Sequence, residues 1–312
     1  MSQVLAGQLS EVLGVADVGD LTRLSGGASR DTWRFRAGGR SLILQRQRGG
    51  DIRDMGIEAA VLRAAAAAGV PVPELVASGG ADSPLEAAFM VLGEVHGETI
   101  ARKILRDDRF AAARRVLPAQ LGRAAAAIHA VPLDSVPALS DVDQVRQYRD
   151  VLDTLGQPHP AFELAFRWLD DHRPPAVGST LVHGDFRLGN LMVGDDGLRA
   201  VLDWELAHLG DPMEDLGWLC VRAWRFGGAG EVAGVGNVDD LLAAYAEASG
   251  RAVDAEVVHW WQVLGTLKWG IMCMTMYQAF AQGSDRSVER AAIGRRSSET
   301  EIDLVNILYS RI

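Results

Sequence analysis

The chain has 312 residues and a formal net charge of −10, with 48% hydrophobic and 23% charged side chains. This composition is typical of a folded globular protein with a sizeable core, and it excludes long disordered stretches. Most of the excess acid lies between residues 96 and 250. It argues against nucleic acid or an anionic membrane as a partner, because both require a basic surface.

The sequence offers no disulfide framework, zinc motif or signal peptide. Its two cysteines, Cys220 and Cys273, stand apart among apolar residues, which is typical of buried thiols in a reducing compartment. The N-terminus lacks a basic segment followed by an apolar core. Residues 257–280 are apolar, but His259 and Lys268 interrupt them, so we predict a buried helix rather than a membrane span. We therefore expect a cytoplasmic protein.

The first third of the chain predicts a sheet with one inserted helix. Apolar spacing over residues 4–13 predicts a short amphipathic helix. Three apolar runs separated by paired glycines, within residues 21–47, then predict a β-meander. Residues 54–68 are rich in strong helix formers and stop at Gly69. Two further strands follow, in LVASGG and AAFMVLGEV.

Helices dominate the sequence after residue 98. They are predicted over residues 109–130, 144–156, 161–172, 214–224, 238–249, 254–281 and 285–310. Strands give way to helices near Gly93–Gly97, which predicts an N-terminal lobe of residues 1–95 and a C-terminal lobe of residues 96–312. The expected class is α+β, with an antiparallel sheet and a helix in the first lobe and mostly helices in the second.

One segment interrupts the helices and gathers polar residues between apolar runs. Residues 181–205 read LVHGDFRLGNLMVGDDGLRAVLDWE. The runs LMV and AVL flank the turn sequence Gly194–Gly197, which predicts a β-hairpin. That hairpin would bring Asn190, at the start of one strand, near Asp203, at the end of the other. Turn formation alone is the simpler interpretation of these residues, since Asp and Asn favour turns.

The same residues suit a metal site beside a catalytic base. Mg²⁺ takes few protein oxygens and completes its shell with water and phosphate, so the Asn190 amide oxygen and the Asp203 carboxylate are candidate ligands. Asp185 lies on the loop just before them and would be free to accept a proton from a hydroxyl group. The role of Glu205 stays open between the metal shell and the substrate.

The spacing Asp-x-x-x-x-Asn, followed by a hairpin and a second Asp, resembles the catalytic loop and metal-binding Asp of protein kinases. His-Gly-Asp and Asp-Trp-Glu are similar to the variants found in the aminoglycoside phosphotransferase and choline kinase family. The nearest likeness is to the branch related to the kinase-like domain of acyl-CoA dehydrogenase family proteins, through HGDFRLGNLM, VLDWELAHLGDP and MEDLGWL. Weaker likeness covers LSGGAS, IEAAVLRAAAAAGVPVPE, FMVLGEVHGETI and LLAAYAEASGR, and thus most of the chain.

This resemblance implies a two-lobed, protein-kinase-like fold that uses ATP and Mg²⁺. Asp185 then resembles the catalytic base that orients the acceptor hydroxyl, and Asn190 and Asp203 resemble the Mg²⁺ ligands. Arg187 stands where protein kinases place a lysine facing the γ-phosphate, and a cation there would stabilise the charge on the phosphoryl group.

For the nucleotide, the resemblance implies a phosphate-covering loop that contains Gly26, Gly27 and Ser29. The two glycines would let the backbone approach phosphate oxygens closely. Glu58 resembles the helix carboxylate that pairs with a strand cation.

Further residues are implied at the hinge and beneath the catalytic loop. Gly93, Glu94 and Val95 resemble the hinge whose backbone meets adenine. Asp215 resembles a buried support for the catalytic loop. His183 looks like a general base, but we favour a structural role in which it hydrogen-bonds this loop or the Asp203 region.

One position departs from the family pattern. The strand SLILQRQR should carry a cation that grips the α- and β-phosphates, but Gln45 occupies the matching position and Arg46 follows it. Neighbouring residues of a strand face opposite sides. Either the register shifts by one residue, or the cation is missing.

The sequence therefore predicts Mg·ATP-dependent transfer of the γ-phosphate to a hydroxyl of a small molecule. Tryptophan and methionine side chains of the helical region would partly line the acceptor cleft, which favours an apolar or acyl-bearing alcohol over an aminoglycoside. We expect no nucleic-acid or membrane partner, and a monomer or homodimer.

Three alternatives remain from sequence. A non-catalytic, nucleotide-binding pseudokinase would follow from a missing cation near Gln45. A protein kinase is disfavoured, because no Ala-Pro-Glu element or extended activation segment follows Asp203. A metal hydrolase could be built on His183, Asp185 and Asp203.

Overall fold

An amphipathic helix and an antiparallel sheet open the fold. A computed structural model of the chain describes residues 2–24, 30–48 and 54–309. Helix α1 covers Ser2–Leu13. The sheet has the strand order β1-β2-β3-β5-β4, with neighbouring strands antiparallel. Its strands are β1 (Gly19–Leu24), β2 (Arg30–Ala37), β3 (Arg40–Gln47), β4 (Leu75–Gly79) and β5 (Phe89–Gly93).

A two-residue turn sets the register between β2 and β3. Gly38 and Gly39 both have positive φ, 56° and 73°, a conformation that matches the strand twist of a tight hairpin. The resulting register pairs Thr32 with Gln45 and continues along both strands to Arg30 opposite Gln47. The predicted meander is thereby confirmed over the described residues.

Alternation gives this sheet two chemically different faces. The outer face is apolar and packs against Leu5 and Leu9 of α1. It presents Phe35, Leu42, Leu44, Phe89 and Val91. The inner face turns Met90 and Leu92 toward helix α2 (Met55–Ala67). The Asp54 side chain caps this helix by accepting a hydrogen bond from Gly56 N at 2.8 Å.

The remainder of the chain is mostly helical, so the predicted α+β class is confirmed. The helices are α3 (Ala101–Arg106), α4 (Ala111–His129), α5 (Gln144–Leu155), α6 (Pro160–Asp171), α7 (Met213–Cys220), α8 (Val238–Ser249), α9 (Ala255–Ala281), α10 (Val288–Gly294) and α11 (Ser297–Tyr309). The short helix α3 was not expected from sequence. The helix predicted over 214–224 ends at Cys220 and continues as a 3₁₀ turn at Arg222–Arg225.

The single helix predicted over residues 285–310 is wrong. The segment forms α10 and α11, and the break follows Gly294. Gly294 lies against Tyr277 of α9, where a Cβ on the glycine would stand 2.5 Å from the tyrosine Cβ. The close approach explains why a glycine stands at the end of α10, where the chain bends before α11.

Helix α9 is the long apolar helix expected over residues 254–281. Its residues pack with α5, α6 and α11 in one core cluster and with α7 in another. Among the described helices, none combines the length and the apolar character that a membrane crossing requires. Cys220 and Cys273 are buried and unpaired, and burial raises the pKa of each thiol to about 12.

Two short antiparallel pairs carry the polar segment. Strand β6 (Thr180–Val182) pairs with β9 (His208–Gly210), and β7 (Leu191–Gly194) with β8 (Gly197–Val201). The β7–β8 hairpin confirms the predicted turn. Two backbone hydrogen bonds join this hairpin to the first part of the chain. Glu98 N, after β5, donates to Val193 O (2.9 Å), and Val201 N donates to Pro71 O, before β4 (2.7 Å).

Helices α4 and α8 pack backbone to backbone at Gly122. A Cβ at Gly122 would lie 2.4 Å from Leu241 O and 2.9 Å from Tyr245 N, both backbone atoms of α8. Backbone atoms cannot rotate away as the end of a flexible side chain can. The packing of these two helices therefore requires a glycine at this position.

We expect Gly122→Ala to lower the free energy of unfolding by about 1–3 kcal/mol, because the added methyl forces α4 and α8 apart. Gly7→Ala in α1 is the matched control, since nothing lies within 4 Å of its Cβ position. Alanine has the higher helix propensity, so this change should stabilise by up to about 1 kcal/mol. Urea unfolding of both variants checks the prediction, and equal effects at the two sites would contradict it.

Candidate active site

The Asp185 carboxylate is held by three donors. Its Oδ1 accepts hydrogen bonds from Arg187 Nε and Trp218 Nε1, each at 2.9 Å. Its Oδ2 accepts one from Asn190 Nδ2 at 2.7 Å, and the same amide nitrogen lies 3.0 Å from the Asp185 carbonyl oxygen. Bonds to both oxygens fix the plane of the carboxylate, so Asp185 presents one orientation to whatever lies in front of it.

A buried carboxylate supports the backbone of the same loop. Asp215, fully buried in α7, accepts hydrogen bonds from His183 N (2.8 Å) and Gly184 N (3.0 Å), and His129 Nε2 lies 3.2 Å away. The support expected from Asp215 is thus confirmed. Gly184 has φ +78°, and a Cβ there would lie 2.4 Å from Leu206 O, so the loop needs a glycine at this point.

His183 has the structural role that we favoured. Its Nδ1 accepts from Asp185 N at 3.2 Å, which leaves Nε2 as the donor to Leu202 O at 3.0 Å. Burial lowers the pKa of His183, so the ring stays neutral and keeps this hydrogen-bond pattern. The ring therefore links the Asp185 loop to the segment that carries Asp203.

The hairpin brings Asn190 and the Asp203 segment together as predicted. Leu202 N donates to Asn190 O at 2.8 Å, just beyond the β7–β8 pairing. Because Asn190 Nδ2 bonds to Asp185, its Oδ1 remains for another partner. Asp203 has φ +63°, a left-handed conformation that Asp tolerates better than most residues.

The strand cation that pairs with Glu58 is Arg30 of β2. Arg30 Nη1 donates to Glu58 Oε1 at 2.9 Å and Nη2 to Oε2 at 2.5 Å, a two-point contact between buried side chains. Arg30 Nη2 also lies 3.1 Å from Glu205 Oε2. Arg30 therefore connects the inner face of the sheet to α2 and to the residue two places after Asp203.

This arrangement settles the register question raised by the β3 strand. Gln45 shares the inner face with Arg30 and accepts a hydrogen bond from its Nη1 at 3.3 Å. Arg46 alternates to the outer face, where its cross-strand partner is Phe89. The register does not shift, and the cation on the inner face comes from the neighbouring strand rather than from β3.

Asp203 stands among like charges. It is accessible to solvent, yet protein surrounds it on most sides; this desolvation, with the nearby carboxylates of Glu205, Glu58 and Asp185, raises its pKa to about 7. Arg30 acts in the opposite direction. Two guanidinium groups, Arg30 and Arg187, face these four carboxylates, and the remaining excess of negative charge is the local condition that a divalent cation relieves.

Within residues 2–24, 30–48 and 54–309, no three His, Cys, Asp or Glu side chains converge as a metal cluster. The donor set nevertheless fits Mg²⁺. Asn190 offers an amide oxygen and Asp203 a carboxylate, and Mg²⁺ commonly uses one or two protein carboxylates together with water and substrate phosphates.

The hinge residues divide into bonded and available groups. Gly93 N donates to Glu74 O (2.8 Å) and Glu94 N to Ser41 O (3.1 Å), so both amides are occupied. Val95 N has no hydrogen-bond partner among the described residues. Gly26, Gly27 and Ser29, which were expected to cover the phosphates, lie outside the described residues.

Arg187 is held between Asp185 and an aromatic ring. Its guanidinium carbon lies 4.7 Å from the centroid of the Trp224 ring, while Nε bonds to Asp185. Its terminal Nη1 lies beside Gly189, where an added Cβ would stand 2.3 Å from it. Trp224 continues into a cluster with Trp218 and Trp269, with ring centroids 5.2 and 4.6 Å apart.

A second buried ionic group underlies the loop and was not found from sequence. Glu214 of α7 contacts Lys268 Nζ at 3.2 Å, His208 Nε2 at 2.9 Å and the side-chain amide of Gln144. Burial alone would raise the pKa of Glu214, but the Lys268 charge and these hydrogen bonds lower it to about 2. No local motif marks the group, because its members come from four separate elements.

The Glu214 group should make stability depend on pH. A carboxyl group whose pKa falls on folding stabilises above its unfolded pKa of about 4.3, and the contribution fades as pH drops toward about 2. We expect Glu214→Gln to lower the free energy of unfolding by about 3–5 kcal/mol at pH 7, because Lys268 loses its buried partner. The deficit should shrink between pH 5 and pH 3.

Glu163→Gln is the control, because its ion pair with Arg149 is exposed and should contribute less than about 1 kcal/mol. Urea unfolding at pH 7, 5 and 3 makes the comparison. A Glu214→Gln deficit that stays constant with pH would be inconsistent with the buried pair.

Comparisons with known proteins agree with this geometry. A solved Ralstonia eutropha protein assigned as an aminoglycoside phosphotransferase has a TM-score of 0.76 and 21% identity, with 96% of each chain covered. Spectinomycin phosphotransferase, solved with ADP and spectinomycin, has a TM-score of 0.68 and 15% identity, covering 98% of this chain and 97% of that one. At these identities the likeness is one of fold, and it confirms the kinase-like architecture.

Among curated proteins, mouse acyl-CoA dehydrogenase family member 10 is 29% identical over 232 residues, which are 68% of this chain and 21% of that protein. The chain thus spans about a fifth of the length of that relative. A family model described as "Phosphotransferase enzyme family" matches residues 20–256. Because that match covers more than half of the chain, the protein belongs to the phosphotransferase enzyme family.

Proposed function

We propose that this protein transfers the γ-phosphate of ATP to a hydroxyl group of a small molecule. The observation that carries the proposal is the Asp185 carboxylate, fixed by Arg187, Asn190 and Trp218 at the base of the hairpin that leads to Asp203. Phosphoryl transfer needs an oriented acceptor and a site for the charge of the phosphates. The family match supports the reaction class.

ATP would bind between two lobes, residues 1–95 and 96–312. The Val95 backbone would meet the adenine. Arg30, oriented by Glu58, would contact the α- and β-phosphates from the inner face of the sheet. In the family pattern, a cation on β3 has this role. The ADP bound to spectinomycin phosphotransferase supports nucleotide use in this fold.

Asn190 Oδ1 and the Asp203 carboxylate are the groups that would hold Mg²⁺. When bound there with the nucleotide, the ion would offset the negative charge of the phosphates. Its charge would also favour the ionised form of Asp203, whose pKa is raised by burial and by the neighbouring carboxylates. Glu205, already paired with Arg30, would tune the charge of the site from outside this ligand pair.

In the transfer step, Asp185 aligns the acceptor hydroxyl and takes its proton. The acceptor oxygen forms a bond to the γ-phosphorus while the bond from that phosphorus to the β–γ bridging oxygen breaks, and ADP leaves. Arg187 offsets charge on the phosphoryl oxygens with its terminal nitrogens. Most of the acceleration comes from positioning and fixed charges.

For the acceptor, we propose an apolar or acyl-bearing alcohol. The buried indoles of Trp218, Trp224 and Trp269 adjoin the Asp185 loop and would form part of an apolar wall. Protein cations already lie against these rings: Arg187 on Trp224 and Lys268 on Trp218. Because Asp185 and Glu214 already pair with these two cations, the wall offers a polycationic sugar apolar rings rather than free carboxylates. The acyl-CoA dehydrogenase name of the mouse relative fits an acyl-bearing acceptor.

The non-catalytic alternative loses its main support. The pseudokinase interpretation depended on a missing cation beside Gln45, and Arg30 places a guanidinium on that face in contact with Glu58. A protein with Mg·ATP binding and no turnover over a broad alcohol library would restore that alternative.

We expect Asp185→Asn to lower kcat by about 10²–10⁴-fold with little change in the KM for ATP, because the base is lost and the shape is kept. Asp203→Asn should lower kcat and also raise the KM for ATP, since a metal ligand loses its charge. ADP release with a panel of small alcohols measures both. The control is Asp195→Asn in the exposed turn of the same hairpin, which should keep wild-type kinetics; near-normal turnover by Asp185→Asn would refute the assignment.

A second pair of variants tests the strand cation. Arg30→Met should raise the KM for ATP by about tenfold or more, because the phosphates lose a charged contact. Arg30→Lys should recover only part of this, since lysine lacks the two-point geometry. Arg46→Met, on the outer face, should stay within about twofold of wild type. Thermal melting shows whether each variant is folded, and a larger effect at Arg46 than at Arg30 would contradict the assignment.

A further inference from the structure

Lys268 is a buried lysine beneath the loop that carries Asp185. It lies in α9 and is 6% exposed. Its Nζ is 3.2 Å from Glu214 Oε1, 3.5 Å from Gly184 O and 4.9 Å from the centroid of the Trp218 ring. No step of the proposed reaction uses this charge.

The stability of the fold does not by itself explain a charge at this place. Moving an ammonium and a carboxylate out of water costs several kcal/mol each, and apolar pairs of similar size often replace buried ion pairs without loss. Glu214 offsets the cost and is itself bonded to His208 and Gln144. Besides Glu214, the Lys268 ammonium contacts Gly184 O, the Trp218 ring and, at 5.9 Å, the Tyr148 ring. The first two of these contacts bear on Asp185.

The first contact bears on the backbone of Asp185. Gly184 O belongs to the peptide bond between Gly184 and Asp185. The N–H of that bond donates to His183 Nδ1 at 3.2 Å, and its C=O faces Lys268 Nζ at 3.5 Å. The preceding N–H, of Gly184, is held by Asp215 Oδ1 at 3.0 Å. The peptide group between Gly184 and Asp185 is thus restrained at both its N–H and its C=O, and Lys268 restrains the C=O.

The second contact bears on the side chain of Asp185. Trp218 Nε1 donates to Asp185 Oδ1 at 2.9 Å, and Lys268 Nζ lies against the same indole. A cation at a ring face attracts it and limits its rotation. Lys268 therefore touches one group that fixes the backbone of Asp185 and one group that fixes its carboxylate.

We propose that Lys268 is a positioning residue for Asp185, acting through the Gly184 carbonyl and the Trp218 indole. Glu214 is the buried counter-charge that offsets the desolvation of the Lys268 ammonium. The inference rests on the proposed role of Asp185 in phosphoryl transfer. Lys268 touches neither ATP nor the acceptor in this scheme. Its removal should misplace the base without weakening the binding of either substrate.

A charge-balanced pair of substitutions separates this role from plain structural support. Lys268→Met alone leaves Glu214 without its cation, so it should melt earlier than wild type. The double variant Lys268→Met/Glu214→Gln removes both charges and should recover most of the lost Tm. If Lys268 positions Asp185, kcat of the double variant should still be about 10–100-fold below wild type, with the KM for ATP and for the alcohol within about twofold.

Two further variants sharpen the kinetic test. Trp218→Phe removes the indole donor to Asp185 and should also lower kcat; combined with the double variant it should add much less than the product of the two effects, because both act on one carboxylate. Thr266→Val is the control within α9, since the partner of the Thr266 hydroxyl among the described residues is Gln262 O of the same helix. It should leave kcat within about twofold of wild type.

Amide hydrogen exchange tests the inference without turnover. In the double variant, the peptide covering residues 181–188 should exchange at least about tenfold faster than in wild type or Thr266→Val, because the loop has lost one of its restraints. A double variant with wild-type Tm, wild-type kcat and unchanged exchange in this peptide would overturn the positioning role. A wild-type protein that turns over no alcohol would instead count against the proposed function, and the exchange comparison would still decide the role of Lys268.

Discussion

The carboxylate of Asp215 is the contact on which the site depends. It is fully buried, and it accepts hydrogen bonds from the backbone N–H groups of His183 and Gly184. A buried carboxylate that lost these donors would be costly, so α7 and the loop before Asp185 form one unit. Further hydrogen bonds connect this unit to the rest of the site. His183 Nε2 bonds to Leu202 O, and Leu202 N donates to Asn190 O. The positions of the polar residues of the site therefore depend on the contact of Asp215 with the loop.

A second contact joins this unit to the sheet. Arg30 meets Glu58 on the helix beside the sheet and Glu205 on the segment after Asp203, residues that lie far apart in the chain. Its single positive charge faces the carboxylates of Glu58, Glu205 and Asp203, while burial and the neighbouring carboxylates together raise the pKa of Asp203. The carboxylates at this place outnumber the guanidinium groups, which agrees with the proposed binding of a nucleotide together with Mg²⁺.

How far the sequence predicts this structure depends on how local each signal is. The hairpin, and the approach of Asn190 to the Asp203 segment that it produces, depend on short spacings and turn residues, so they could be predicted, as could most helices. Arg30 was missed, although the Gly38-Gly39 turn fixes the register and places it on the Gln45 face. Lys268, Glu214 and Trp218 could not be found this way, because their contacts with the loop join distant elements. The break after Gly294 depends on packing against Tyr277, which no propensity reveals.

The left-handed backbone of Asp203 restricts how this position can change. A φ of +63° is unfavourable for branched and bulky residues, and glycine, asparagine and aspartate occupy it with least strain. Only aspartate among these three carries a charge. The backbone therefore favours these three residues, and the need for a charge singles out aspartate among them. An exchange to glutamate would keep the charge but is disfavoured by this backbone conformation. The site can lose its carboxylate by a small step to asparagine or glycine, but it cannot easily exchange one acid for another.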